Sequence, residues 1–282
     1  MKKAFFDFAR KIRDNNKWLR NSFLWKKLIP YWLKFKHKVY MQPQSRQFFK
    51  INADKVNFVA NLLADEESKK TYLSMIDFRC NGKKKFPYHG EQNQYFVNDF
   101  FKYEKDEVLV DCGAFTGDTI ENFLNLPNIE YKKIIAFEPD LTNYKILFQK
   151  FSSNPQIHIL NAGAFSSNGQ MNFSSTEDSV SCIQENGEFS ITTKSIDSVC
   201  ENSGDKVTLI KMDIEGAELE ALKGAEKVIL RDKPKLAICI YHSDQDMISI
   251  AEYIHSIVPE YNFYVRQHNK DYSTETVLYA QL

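Results

Sequence analysis

Short apolar runs alternate with longer amphipathic stretches from residue 105 onward. The apolar runs are EVLVDC (107–112), KIIAFE (133–138), IHILNAG (157–163), VTLIKMD (207–213) and KLAICIY (235–241). They lack period-two alternation, as expected for central strands that are covered on both faces. Helices are predicted between the runs at 118–126, 140–152 and 215–230. Strands and helices in this order predict right-handed βαβ units and a parallel sheet.

The C-terminal part of the pattern differs, because two strand-like segments follow each other without a helix between them. YNFYVRQHN (261–269) and TETVLYAQL (274–282) are joined by the short turn KDYS. This spacing predicts an antiparallel hairpin that closes the otherwise parallel sheet. A further β-rich segment, QMNFSST near 170–176, is expected to decorate the region after the third strand.

Helical periodicity comes before the first strand. Residues 51–80 repeat apolar side chains at helical spacing, and the polar loop 81–94 separates them from the first strand. We therefore predict a helical N-terminal region at 1–100 and an α/β ligand-binding domain at 101–282.

All three tryptophans, Trp18, Trp25 and Trp32, lie in the first fifty residues and are spaced by seven. On a helix this spacing places them along one stripe, and Pro30 divides the segment into two short helices. The stripe either packs onto the body of the protein or rests on an anionic membrane surface or an acidic partner.

Charge is distributed unevenly along the chain although the net charge is zero. Residues 1–50 contain 14 Lys and Arg but only two acids, so the remaining residues carry 23 basic and 35 acidic side chains. An acidic body argues against nucleic acid as a partner. The five cysteines are scattered without a CxxC pair, which argues against a disulfide framework and a zinc site. We expect a cytoplasmic protein, with the inner face of the membrane as its location if residues 1–50 dock there.

The turn VLVDCGAFTGDT (108–119) follows the first apolar strand, where open α/β sheets bind ligands. Gly113 and Gly117 allow a tight turn and close approach of the backbone to a ligand. Asp111 is predicted to accept a hydrogen bond from a ligand amine. Ala114, Phe115 and Thr119 complete the predicted binding turn.

Glu138 ends the second apolar run, 21 residues beyond Gly117, where an acidic side chain can bind both hydroxyls of a ribose. The pair predicts an adenosine-containing cofactor, which leaves both NAD and S-adenosylmethionine open. S-adenosylmethionine is favoured because Phe115 replaces the middle glycine of G-x-G-x-x-G and because Asp111 would repel a diphosphate. The C-terminal hairpin is also unlike a dinucleotide fold. Asn161 and Ala162 are predicted to lie beside the adenine.

The segment KMDIEGAELEALKGAEKVI (211–229), with VDCGAFTGDT, AFEP, LNAGAFS and KLAICIYH, resembles the FkbM family of S-adenosylmethionine-dependent methyltransferases. The resemblance covers roughly 95–282. It implies the class I methyltransferase fold, a Rossmann-like seven-stranded sheet, and O-methylation of sugar or polyketide-type hydroxyls. Phe115 departs from the family pattern, which often has asparagine in this turn.

Methylation of a hydroxyl requires a group that removes its proton beside the cofactor. His242 or Asp213, each at the end of an apolar run, is the predicted general base, and Asp213 is also predicted to contact the cofactor. Glu215 and Glu218 are predicted to shape the acceptor pocket. For Glu220, enrichment of acids in the first turn of a helix is the better explanation. A minority hypothesis makes Asp213 and Glu215 ligands of Mg²⁺.

The resemblance implies a methyltransferase that acts on a sugar hydroxyl of a nucleotide-sugar or of a capsule or lipopolysaccharide intermediate. Two alternatives remain. One is a nicotinamide-dependent sugar oxidoreductase or epimerase, although the chain lacks its G-x-G-x-x-G and Tyr-x-x-x-Lys patterns. The other is a non-catalytic scaffold that binds the cofactor and docks through its basic N-terminus.

Overall fold

The computed structural model describes residues 42–82, 85–90, 93–175, 181–183, 189–201, 204–270, 272 and 274–282. The predicted tryptophan stripe at Trp18, Trp25 and Trp32 lies outside the described residues. None of the described helices has the length and apolar character needed to cross a bilayer.

A seven-stranded sheet forms the centre of the protein. In spatial order its strands are β10 (Asn262–Gln267), β11 (Thr276–Gln281), β9 (Lys235–Cys239), β8 (Leu209–Met212), β1 (Glu107–Cys112), β2 (Tyr131–Phe137) and β3 (Ile157–Leu160). Neighbouring strands from β9 to β3 are parallel, whereas β11 is antiparallel to both β9 and β10. The predicted fold class, a mostly parallel sheet with an antiparallel C-terminal hairpin, is confirmed.

A second sheet of four short strands follows β3. It contains β4 (Gly163–Ala164), β5 (Gly169–Ser175), β6 (Ser181–Ile183) and β7 (Phe189–Lys194), in the order β4-β7-β5-β6. The β-rich segment predicted near 170–176 therefore belongs to this added sheet.

Nine helices occur in the described part of the chain. They are α1 (Gln42–Ile51), α2 (Ala53–Leu62), α3 (Glu66–Asn81), α4 (Asp118–Leu124), α5 (Leu141–Phe151), α6 (Ile196–Cys200), α7 (Glu218–Lys223), α8 (Glu226–Asp232) and α9 (Asp246–Ile257). Local side chains set several of their ends. Asp140 accepts hydrogen bonds from the N–H groups of Thr142 and Asn143 at the start of α5, and Gly82 ends α3 in the left-handed region.

Two hydrophobic cores lie on opposite faces of the large sheet, and consecutive residues of β1 enter them in turn. Val108 and Val110 pack into one core, while Leu109 packs into the other. All six residues of β1 are buried. Burial on both faces explains why this strand shows no alternation of apolar and polar residues in the sequence.

The segment predicted as one helix over 215–230 forms two helices, α7 and α8. They are separated at Gly224, where a Cβ atom would lie 2.0 Å from the backbone oxygen of Phe165. The close approach of another backbone, which the helical periodicity does not reveal, interrupts the helix. Helix α9 was not among the predicted helices.

Helices α1 to α3 pack on the sheet beside β10 and share one hydrophobic core with it. Tyr72 and Met75 of α3 are fully buried in that core. Polar contacts reinforce the packing, because Ser68 accepts a hydrogen bond from the Val265 N–H at 2.9 Å and Arg266 contacts Asp65 at 2.8 Å. The predicted boundary near residue 100 therefore does not divide the described residues into two cores.

Candidate active site

A cleft of about 640 Å³ opens at the carboxyl ends of β1, β2 and β8. Of the residues predicted to bind a cofactor, those that line it are Gly113, Phe115, Thr119, Glu138 and Asp213. Ala114 and Gly117 shape the turn from behind, since the Gly117 N–H donates to the Ala114 carbonyl at 2.8 Å. The structure thus brings the turn and the acidic end of β2 together at one edge of the sheet.

Gly113 occupies a position where no side chain fits. Its φ is +80°, and a Cβ atom there would lie 2.0 Å from the backbone oxygen of Asp213 at the end of β8. The N–H groups of Gly113 and Ala114 both donate to the Phe137 carbonyl at 3.0 Å. The glycine therefore lets three neighbouring strands, β1, β2 and β8, converge at the floor of the cleft.

Glu138 is buried at the end of β2 and is held by the turn. Its Oε2 accepts a hydrogen bond from the Phe115 N–H at 2.8 Å, and its Oε1 accepts one from the Asp140 N–H at 2.9 Å. Burial raises the pKa of Glu138 to about 7, although these two backbone donors oppose the shift. Each carboxylate oxygen retains acceptor capacity, which suits a ligand that carries two neighbouring hydroxyls.

Phe115 has an unusual backbone and an exposed ring. Its φ is +48°, a left-handed conformation that bulky residues rarely adopt, and its side chain is 55% exposed at the cleft. The conformation points the Phe115 N–H at Glu138, so strain in the turn accompanies the fixing of that carboxylate.

The predicted role of Asp111 requires correction, because its carboxylate does not line the cleft. Asp111 is fully buried and lies 3.0 Å from the ammonium group of Lys211, its partner across the register of β1 and β8. Lys211 also donates to the Gly113 carbonyl at 2.8 Å. Burial alone would lower the pKa of Lys211, but the carboxylates of Asp111 and Asp213 outweigh it and raise that pKa, so Lys211 is charged. Asp111 therefore neutralises Lys211 instead of meeting a ligand amine.

Asn161 is held at the turn after β2, and its contact with an adenine stays a prediction. Its amide group donates to the backbone carbonyls of Glu138 and Pro139, at 3.0 and 3.1 Å, and so fixes the turn after β2. Ala162 is buried, and the cleft wall nearby is formed by Gly163 and the residues after it.

Asp213 is held by two phenols at the end of β8. Tyr95 donates to its Oδ2 at 2.9 Å, and Tyr241 donates to its Oδ1 at 3.0 Å. Burial would raise the pKa of Asp213, but the charges of Lys211 and His242 and the two phenol hydrogen bonds lower it. Asp213 is therefore a stable anion and a weak base.

His242 lies between carboxylates on both sides of its ring, and its side chain is 8% exposed. Its Nδ1 is 3.0 Å from Oε1 of Glu218, and its Nε2 is 3.4 Å from Oδ1 of Asp213 and 3.5 Å from Oε2 of Glu215. Burial lowers the pKa of His242, but the three carboxylates outweigh it and raise that pKa to about 9. The ring is therefore an imidazolium near neutral pH, with Nε2 directed to the side of the two cleft-lining acids.

The same arrangement tests whether a divalent cation fits. Asp213, Glu218 and His242 offer ligand atoms within 4.8 Å of one another. However, Glu218 approaches Nδ1 and Asp213 approaches Nε2, which lie on opposite sides of the ring, and one metal ion binds only one nitrogen of an imidazole. The charge that Mg²⁺ would bring to Asp213 and Glu215 is already supplied by the imidazolium. The geometry fits an ion-paired histidine better than a metal site.

Three residues of the site were missed in the sequence: Tyr95, Lys211 and Tyr241. A signal existed for Lys211, because a lysine inside a buried strand needs a buried counter-charge and Asp111 is the acid within the neighbouring strand run. Tyr95 comes from a loop more than a hundred residues before Asp213, and no local pattern connects the two.

Comparison with known proteins shows which family the chain resembles. The family model described as the methyltransferase FkbM domain matches residues 111–270. A crystal structure of methyltransferase FkbM from Methylobacillus flagellatus KT is similar, with 28% identity and a TM-score of 0.71. The match covers 83% of this chain and 60% of that one, so this chain spans less than two thirds of that methyltransferase.

More distant structures show weaker similarity. An rRNA methylase from Streptococcus thermophilus is 14% identical over 63% of this chain and 87% of its own, with a TM-score of 0.41. A putative methyltransferase from Streptococcus mutans in complex with SAH is 12% identical over 64% of this chain and 91% of its own, with a TM-score of 0.39. No curated protein matches the chain by sequence.

Proposed function

The chain belongs to the methyltransferase FkbM family, and from this premise we propose that it methylates a sugar hydroxyl with S-adenosylmethionine as the methyl donor. The proposed acceptor is a nucleotide-sugar or an intermediate of a surface polysaccharide such as capsule or lipopolysaccharide. The observation that carries the choice of cofactor is the charge of the cleft.

Among the described residues, the charged side chains that line the cleft are six carboxylates and one lysine. The acids are Asp118, Glu138, Asp140, Asp213, Glu215 and Glu220, and the lysine is Lys211, whose charge is balanced by Asp111. Carboxylates attract the sulfonium and ammonium groups of S-adenosylmethionine and repel the diphosphate of NAD. This balance supports a sulfonium cofactor over the nicotinamide alternative.

We assign the ribose to Glu138 and the acceptor side to Asp213, Glu215 and His242. S-adenosylmethionine supplies an electrophilic methyl group to this cleft. His242 Nε2 is the proposed proton acceptor for the hydroxyl, and Glu218, whose Oε1 lies 3.0 Å from Nδ1, holds the ring in place. Because His242 is protonated near neutral pH, it must lose its proton first, and a cationic ligand nearby lowers its pKa in that direction.

Calorimetric titration with S-adenosylhomocysteine and, in parallel, with NAD⁺ tests the proposal. We expect binding of the thioether alone, weakened at least tenfold by Glu138→Ala. Binding of NAD⁺ alone would overturn the methyltransferase proposal, and binding of neither would favour the non-catalytic scaffold. An acceptor screen with a set of sugars then tests the proposed substrate class.

Peripheral membrane contact through residues 1–50 stays a prediction. It is tested by co-sedimentation of the full chain with anionic vesicles. The contact is ruled out if removing residues 1–41 leaves co-sedimentation unchanged.

A further inference from the structure

Arg79 reaches the loop after β9 from the last turn of α3. Its Nη1 donates to Oδ1 of Asp244 at 2.7 Å, and its Nη2 donates to the Tyr241 carbonyl. The residue is 8% exposed, so the guanidinium is held inside the protein. Arg79 lies outside 111–270, the part of the chain that the family model matches.

The two partners of Arg79 flank His242 in the sequence. One is the backbone carbonyl immediately before His242, and the other is a side chain two residues after it. The far side of the loop is fixed by Asp246, whose Oδ2 accepts from the Ser243 N–H at 2.8 Å, and by Ser243 Oγ, which accepts from the Asp246 N–H at 3.1 Å. The backbone of His242 is therefore fixed on both sides.

Helix α3 is a rigid base for this contact. Its start is tied to β10 through Ser68 and Asp65, and Met75, one turn before Arg79, is fully buried. A planar guanidinium with donors in a fork binds a carboxylate and a carbonyl at the same time, which the single ammonium of lysine does with less directional control.

We infer that Arg79 is a positioning residue that fixes His242 against its carboxylate partners, so that a helix outside the matched domain sets the geometry of the acceptor side. The inference rests on the proposed function for its catalytic meaning, but the position of the ring is testable without it. Displacement of a reacting group by about 1 Å can lower turnover by about a hundredfold.

The charged groups that face His242 in the described part of the chain come from several elements. Glu218 lies on α7, Asp213 and Glu215 follow β8, Asp246 begins α9 and Glu275 precedes β11. All of these are acids, so loosening the loop reduces the stabilisation of the imidazolium. A change in the pKa of His242 therefore reports a change in its position.

The experiment compares Arg79→Lys with Arg46→Lys, using NMR titration of His242 in the full chain. Arg46 is a matched control, because its Nε donates to the Cys80 carbonyl at 2.7 Å at the same end of α3 without contacting the loop. We expect Arg79→Lys to lower the pKa of His242 by at least half a unit and Arg46→Lys to leave it unchanged. An unchanged titration in a folded Arg79→Lys protein would overturn the inference.

Asp244→Asn is the second variant, because it weakens one contact of Arg79 and keeps the buried arginine. We expect a shift in the same direction, which includes the loss of the Asp244 charge, and in the combination with Arg79→Lys a shift smaller than the sum of the two single variants. Independent, additive shifts in the pKa of His242 would show that Arg79 and Asp244 do not act through one shared contact. Binding of S-adenosylhomocysteine, measured on the same proteins, should change less than twofold, since Arg79 does not line the cleft. If the unmodified protein does not bind S-adenosylhomocysteine, the proposed function is contradicted, but the inference about Arg79 is not.

Discussion

The half of the cleft that carries Gly113, Phe115 and Glu138 is shaped by backbone atoms of neighbouring strands. The half that carries Asp213 and Glu215, with His242 buried beside them, is shaped instead by side chains from distant segments. We call them the cofactor half and the acceptor half. In the cofactor half, N–H groups and a glycine set the geometry, whereas in the acceptor half phenols, carboxylates and Arg79 set it.

This difference determines how each half responds to substitution. A backbone-built site fails when a side chain collides with it or changes its turn. A side-chain network fails through loss of a partner and depends on pH, because its members titrate. Five variants test that contrast, from the largest expected effect to the smallest.

Gly113→Ala should damage the cofactor half most. The added Cβ would lie 2.0 Å from the Asp213 carbonyl, so strands β1 and β8 must separate or the turn must unfold. We expect a loss of about 4 kcal/mol or more in the free energy of unfolding and loss of S-adenosylhomocysteine binding. Gly90→Ala is the control, because Gly90 also has positive φ but nothing lies within 4 Å of its Cβ position. Equal losses in both variants would show that strain, not collision, is responsible.

Lys211→Met should leave Asp111 buried without a counter-charge at the boundary between the halves. We expect a loss of about 3–5 kcal/mol in urea denaturation, the usual cost of breaking a buried ion pair. The double variant Lys211→Met, Asp111→Leu should recover much of that loss. If the double variant is as unstable as the single one, packing around Lys211 and not its charge accounts for the effect.

His242→Gln should remove the pH dependence of the acceptor half. A histidine whose pKa rises from 6.5 to about 9 on folding stabilises the protein fully below pH 6.5, and this stabilisation is lost as the pH rises through about 9. The unmodified protein should therefore lose about 3 kcal/mol over that range beyond what the variant loses. Urea denaturation at pH 6 and pH 9.5 measures the difference. If the free energy of unfolding changes equally with pH in both proteins, the ion-paired imidazolium is excluded.

Glu138→Gln should remove a smaller pH dependence in the cofactor half. Because ribose hydroxyls donate to a carboxylate and the pKa of Glu138 is about 7, affinity for S-adenosylhomocysteine should rise with pH through that value. We expect about a tenfold gain between pH 5.5 and 8 in the unmodified protein. Calorimetry should show no change of affinity with pH for the variant. If the affinity of both proteins is independent of pH, Glu138 does not bind the ribose.

Phe115→Asn should have the smallest effect and is expected to stabilise the protein. Asparagine accepts the left-handed conformation that this residue adopts at φ +48°, and the exposed ring contributes little burial. We expect a gain of about 1 kcal/mol in the free energy of unfolding. Thermal unfolding measures it, and a loss would show that ring packing outweighs the backbone preference.

The cofactor half was largely predictable from the sequence, because its signals are local. Gly113 was singled out by the spacing of glycines after a strand, and Glu138 by its position as an acid after the next strand. Both signals depend on backbone geometry alone. The error at Asp111 concerns the direction of a side chain, which depends on what lies across the sheet. For Asp111 that neighbour is Lys211 in the parallel strand.

The acceptor half was predictable only in part. His242 and Asp213 were found because they end strands, and their positions at the sheet edge agree with that reasoning. Their protonation states were not predictable, because these depend on Glu218, Tyr95 and Tyr241, which folding brings together from separate segments. Arg79 lies more than 160 residues from its partners in the loop and left no local signal.

The place of β11 between β9 and β10 has a consequence for biosynthesis. Ribosomes release β9 and β10 before β11, so the strand that joins them is the last of the sheet to emerge. Until then, the hydrogen-bonding edge of β9 is open in the nascent chain and available to chaperones or to another copy. The emergence of β11, and not the earlier appearance of the binding turn, is therefore the event that seals the sheet.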